Sequence, residues 1–226
     1  MTTQRSVLVA GPAPKACSHG PRSRHDLFAS VELMGATMPF ARNAEIYGEG
    51  EPAEYLYRVV SGAVRTYRIL ADGRRQIGAF YLPGDIFGLE AGDEHHSSAE
   101  AVTHSTIRLV RRNALIALAT REPEIARQLW TLIAREVERM QDHAVMLIKS
   151  APERIATFLL ELARRLSAAD SLELPMTRHD IADYLGLTIE TVSRTLAQLE
   201  GEATIALPSA RRVVLRNRGA LNRLNA

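Results

Sequence analysis

The sequence predicts an α+β chain: an N-terminal antiparallel β roll, one long helix, and a C-terminal winged helix-turn-helix. Three observations carry this reading: short alternating runs broken by glycine-centred turns from about Phe40 to Val110, an apolar stripe from Leu129 to Leu147 at helical spacing, and the segment LPMTRHDIADYLGLTIETVSRTLAQLE over 174–200. With 226 residues, 46% hydrophobic and 24% charged, the chain has the length and apolar content for one or two folded domains. The expected division is a flexible tail over 1–24, a roll over 25–118, a dimerisation helix over 119–150 and the winged helix-turn-helix over 151–226.

Residues 1–24 hold Gly11, Pro12, Pro14, Gly20 and Pro21 with no apolar period, the composition of a tail. Val7, Leu8 and Val9 are cut off too soon by Pro12 and Pro14 to form a signal peptide. The roll is expected from the runs Tyr55 to Val60, Ala63 to Leu70 and Gln76 to Leu82, separated by Ser61-Gly62 and Asp72-Gly73 and closed by Pro83-Gly84-Asp85. Asp-Gly between alternating runs marks a hairpin, because its turn needs positive φ. Strands at such intervals suit an antiparallel roll or barrel.

Beyond Arg111 the period becomes helical. Leu129, Ile133, Val137, Met140, Ala144 and Leu147 follow at steps of 4, 4, 3, 4 and 3, with Arg135, Glu136, Glu138, Arg139 and Asp142 largely off that stripe. A narrow seam on so long a helix points to a partner helix, hence a homodimer; the alternative is packing against its own roll. Trp130 reads as a packing residue. Pro152, tolerated in a first turn where its missing N–H costs little, opens a new helix to Leu166.

The 174–200 segment is the most specific. Thr177 with Asp180 forms a capping box for a short helix carrying Ile181, Ala182 and Leu185 inward, Gly186 permits the tight turn, and Thr188 caps a second helix buried through Val192, Leu196 and Leu199. Glu190, Ser193, Arg194 and Ala197 are left on the outer face. Arg194 can grip guanine O6 and N7, Glu190 can accept from cytosine N4, and Ser193 can meet either kind of base edge. Thr188 and Thr191, at the helix start, are placed for phosphate. Thr204 to Leu207 and Arg211 to Leu215 read as a two-stranded wing whose Arg211 and Arg212 meet flanking phosphates.

Charge fits this division. The formal net charge is only +2, yet 1–25 sum to +4, 26–118 to −3, 119–150 to zero and 151–226 to +1, and beyond Glu202 there are five arginines and no acid. The basic end suits a polyanion such as DNA. The longest apolar run is Ala114 to Ala119, far short of a membrane span. One cysteine, Cys17, makes no intrachain disulfide and no cluster of thiolates, which favours a cytoplasmic setting. His95, His96 and His104 beside Asp93, Glu94 and Glu100 are metal-ligand types, but adjacent strand residues face opposite ways, so the expectation is a solvated acidic loop and no metal site. No nucleophile and base stand in a catalytic pattern, so an enzyme is not expected.

GEGEPAEYLYRVVSGAVRTYRILADGRRQIGAFYLPGDIFGLE over 48–90 resembles the glycine-punctuated, cyclic-nucleotide-binding-like roll of the cyclic AMP receptor protein and FNR superfamily, including Pro83-Gly84-Asp85-x-Phe87-Gly88. LTIETVSRTLAQLE and RRVVLRNR resemble its FixK-type members. The resemblance implies a homodimeric activator that reads a palindrome with TTGAT-like half-sites through Glu190, Ser193 and Arg194. It further implies recruitment of RNA polymerase to genes of low-oxygen respiration, nitrogen fixation or denitrification. Leu89 stands where the cyclic AMP class has a ribose-binding glutamate, and Ser97 or Ser98 where it has the phosphate-binding arginine. A buried phosphate without its cation is poorly compensated, so no cyclic nucleotide cofactor is expected. Cys17 alone does not supply the cysteine set of an FNR iron–sulfur cluster. The alternative is a regulator of the same fold that depends on haem or another small ligand.

Overall fold

The computed structural model describes residues 27–167 and 170–225. The tail expected over 1–24, with Cys17, lies outside the described residues. The described chain opens with helix α1 (Leu27–Met34) and eight strands: β1 (Ala36–Phe40), β2 (Glu45–Tyr47), β3 (Tyr55–Ser61), β4 (Val64–Ile69), β5 (Arg75–Tyr81), β6 (Ile86–Phe87), β7 (Ser98–Ala101) and β8 (Ser105–Arg111). They form two four-stranded sheets, ordered β1-β8-β3-β6 and β2-β7-β4-β5, and every pairing within them is antiparallel. Tyr47, Tyr57, Val59, Val64, Tyr81, Phe87, Ala99 and Ile107 fill the space between them. The three central strands lie where alternation placed them, and the Asp72-Gly73 turn closes with Gly73 at φ +82°. Gly62 is needed for space as well as φ, since a Cβ there would lie 2.3 Å from Ser105 Oγ.

After β8 the chain forms α2 (Arg112–Arg121), breaks at Glu122, and runs through the long α3 (Pro123–Met146), with Pro123 in its first turn. At about 1.5 Å per residue this helix is roughly 36 Å long. A hinge at 147–150 leads to α4 (Ala151–Arg165), whose start is fixed by a capping box between Ser150 and Glu153. Next come β9 (Ser171–Glu173), α5 (Arg178–Leu185), α6 (Ile189–Gly201), β10 (Ile205–Ser209), β11 (Arg212–Leu215) and α7 (Arg218–Asn225).

The roll and the helical end share one apolar core. Ala63, Ile77, Phe80, Leu82 and Val102 from the roll belong to the same buried cluster as Met146, Ile155, Phe158, Leu159, Ile181 and Leu185. Polar contacts flank it: Arg165 of α4 pairs with Asp85 in the Pro83-Gly84-Asp85 turn at 2.5 Å, and Tyr81 donates to Glu136 of α3 at 3.1 Å, with Arg139 over the Tyr81 ring.

Candidate nucleic-acid interface

Helices α5 and α6 form the expected helix-turn-helix for local reasons. Thr177 Oγ1 accepts from the Asp180 N–H at 3.1 Å, and Asp180 Oδ2 accepts from the Thr177 N–H at 3.0 Å, so two donors at the start of α5 are satisfied reciprocally. Gly186 ends α5 at φ +61°, a conformation that favours glycine. Thr188 then caps α6, accepting from the Thr191 N–H at 3.2 Å. Ile181, Ala182 and Leu185 pack against Val192, Leu196 and Leu199, all buried. Thr195 joins this inner face although it is polar.

That packing leaves Glu190, Arg194 and Ala197 exposed on one face of α6. Ser193, on the same face, is half-buried because Arg178 of α5 lies over it, Nη1 3.4 Å from Ser193 Oγ. Sequence reading missed Arg178, whose position at the start of α5 gave no sign that it crosses to α6. The Glu190 carboxyl is held below the usual carboxylate range by its own backbone N–H, then by the Thr188 hydroxyl and the nearby Arg194 charge. It is therefore an ionised acceptor at neutral pH, the form that can take a hydrogen bond from a base amino group.

The wing differs from the two-stranded hairpin expected. Strand β9 pairs with β11, Leu172 opposite Val213, making a three-stranded sheet β10-β11-β9. Three residues are too few to show a period, and their pairing partner lies some forty residues away. Arg211 is half-buried, with Nη1 3.3 Å from the Pro175 carbonyl, whereas Arg212 stays exposed with Nε donating to Ser171 Oγ at 3.1 Å. Of the two, Arg212 has the more open approach to a phosphate.

The apolar seam of α3 needs one correction. Ile133, Val137 and Met140 are 43%, 47% and 64% exposed, Ala144 is exposed and Leu147 half-buried, but Leu129 turns inward against the cluster of Leu27, Val31, Leu56, Val110 and Ile125. Trp130, read as a packing residue, is 72% exposed and heads the open stripe three residues before Ile133. Neighbours on a helix differ by about 100°, and the period alone did not say which of the two faced out.

His95 is also not the solvated residue expected. It is 1% exposed, stacked on Tyr47 with ring centroids 3.5 Å apart, and its Nδ1 lies 3.3 Å from Glu90 Oε1. Among the described residues no group of three or more His, Cys, Asp and Glu is placed to hold a metal ion. A cyclic nucleotide does not fit the residues present either. The segment 86–101 contains no arginine or lysine, and the adjacent Arg112 spends donors on the Glu90 and Gly92 carbonyls. Stacked Tyr57, Tyr81 and Phe87 fill the space between the sheets.

Comparison with known proteins agrees with this architecture. Residues 37–122 match the cyclic nucleotide-binding domain model and residues 153–224 the Crp-like helix-turn-helix domain model. The chain is 50% identical over 202 residues to the nitrogen fixation regulation protein FixK of Azorhizobium caulinodans, covering 87% of this chain and 82% of that protein. Against the FixK of Rhizobium meliloti it is 41% identical over 215 residues, covering 95% and 91%. The solved structure of FixK2 from Bradyrhizobium japonicum superposes with a TM-score of 0.82 at 52% identity, covering 85% of this chain and 98% of that one. None of the described helices is long and apolar enough to cross a membrane. A roll, a long helix and a capped helix-turn-helix in this order, with these relatives, make the chain a FixK-like member of the CRP/FNR superfamily of transcription regulators.

Proposed function

We propose that the protein acts as a homodimer and activates transcription from a palindrome with TTGAT-type half-sites, without a cyclic nucleotide. One observation carries this: α6 exposes Glu190 and Arg194 while its opposite face is buried, so a reading face stands clear of the protein. In this reading Glu190, Ser193 and Arg194 meet base edges, Thr188, Thr191, Arg211 and Arg212 meet phosphates, and the α3 stripe joins two protomers. The two recognition helices then fall roughly 34–36 Å apart, one turn of the duplex. Kinship with the nitrogen fixation regulation proteins FixK supports nitrogen-fixation genes as targets; recruitment of RNA polymerase in the cytoplasm and control of low-oxygen respiration or denitrification genes belong to the same proposal. Fluorescence anisotropy on a TTGAT palindrome against a scrambled duplex tests it; equal affinity for both defeats the sequence-specific claim.

A second reading, control by haem or another small ligand, is favoured by one atom. Nε2 of His95 is buried with no hydrogen-bond partner among the described residues. An absorption spectrum of the purified protein that shows a haem band would favour this reading.

A further inference from the structure

Four charged residues join the roll to the first helix of the helix-turn-helix, and one carboxylate has two tasks. Asp180 Oδ2 caps α5, accepting from the Thr177 N–H and hydroxyl at 3.0 and 2.8 Å. Asp180 Oδ1 accepts from Arg65 Nη1 on β4 and from Arg75 Nη2 on β5, both at 2.8 Å. Arg75 also grips Asp183 one turn along α5, Nε to Oδ2 at 2.7 Å, and Arg65 is held from behind by Glu100 of β7 at 2.8 Å. The Arg65 and Asp180 side chains are 8% and 3% exposed, those of Arg75 and Asp183 21% and 15%. Ion pairs so enclosed are little screened by salt, and their two-donor geometry fixes direction as well as distance. Around them Gln76 Nε2 reaches the Tyr184 carbonyl at 3.4 Å and Phe80 packs on the Tyr184 ring, centroids 5.2 Å apart. Helix α5 is thus tied to strands β4 and β5 along its length, and α6 is packed on α5.

We propose that Arg65 and Arg75 are positioning residues for DNA recognition: their grip on Asp180 and Asp183 holds the recognition helix at the angle and spacing that a palindrome requires. This rests on the dimeric reading given above. The exposed α6 face is compatible with the grip, because the arginines bind Asp180 and Asp183 of α5 while Glu190 and Arg194 of α6 stay exposed. The contact between roll and helix thereby performs the orienting task that a bound effector performs in a ligand-gated regulator.

The test uses the full chain and the tightest palindrome drawn from a random DNA pool, so that it stands whether or not the half-site is TTGAT. Kd is measured for that palindrome and for one with its centre lengthened by one base pair. Arg75→Gln, which leaves the Asp180 cap and the Arg65 pair in place, should weaken the native-spaced site about tenfold, the scale of one charge-assisted hydrogen bond. It should lower the spacing preference by a similar factor and leave the salt slope unchanged, since no phosphate contact is lost. Asp183→Asn, at the other end of the pair, should do the same, and Arg75→Lys, a single point charge that does not span both carboxylates, should restore only part of the preference. A drop in thermal midpoint with the spacing preference intact makes the cluster merely structural and overturns the proposal. So do variants that match the wild type in both Kd values. Failure of the wild type to prefer any sequence would instead defeat the proposed function.

Discussion

His143 of α3 and Tyr184 of α5 lie face to face, ring centroids 4.1 Å apart and planes within 8°, and His143 Nε2 donates to the Tyr184 carbonyl at 2.9 Å. Burial holds the imidazole below its ordinary pKa of 6.5, against the opposing pull of that carbonyl and of Glu161, with Arg139 adding to the depression. Unfolded His143 therefore takes up a proton before folded His143 does. The stability it contributes is present above about pH 6.5 and is lost as pH falls through and below that value. Thermal unfolding at pH 7.5 and pH 5.5 should show a fall in midpoint on acidification, and His143→Gln should reduce that fall. An unchanged pH dependence in the variant would remove His143 from the account.

Replacing Arg194 by alanine should cost about 1–3 kcal/mol of specific binding, the usual worth of one bidentate base contact. The loss should be concentrated at one guanine, so duplexes altered at that base should no longer be discriminated. Anisotropy titrations on the single-base series measure this, and a uniform loss across the series would place Arg194 on the backbone instead.

Arg212→Ala should weaken specific and scrambled duplexes alike and lower the slope of log K against log salt by about one. Arg211→Ala should weaken binding in the same way, with an added loss of stability from the Pro175 carbonyl it leaves unpartnered. Titrations at three salt concentrations separate these outcomes from loss of a base contact.

A charge in the α3 stripe should prevent assembly. Val137 is 47% exposed in the protomer, so Val137→Glu should leave the fold of one chain intact while, in the proposed dimer, it sets a carboxylate against the partner's stripe. Sedimentation velocity should show a monomer at micromolar concentration, and affinity for the palindrome should fall much further than affinity for a single half-site. A dimer that survives this substitution puts the interface elsewhere.

The helix-turn-helix was legible in the sequence because every signal for it is local. Thr177 and Asp180, Gly186, Thr188 and the stripe Val192, Leu196 and Leu199 each act within one or two turns of themselves. The roll's central strands were legible for the same reason. What escaped depends on distant partners. Arg65 and Asp180 are 115 residues apart, and nothing in either neighbourhood says that a strand arginine will be buried against a helix-capping acid. His95 looked solvated because its neighbours are acidic, although the ring lies flat against Tyr47. Leu129 and Trp130 are both apolar, and only the packed body of α1 and the roll decides which is covered.

The chain has one tryptophan, and it stands at the head of the open stripe on α3. A solvated indole emits at longer wavelength than one enclosed by apolar side chains. In the proposed dimer the stripe is covered, so the emission of Trp130 should move to shorter wavelength on assembly, an optical gauge with no dye attached and no other indole to dilute the signal.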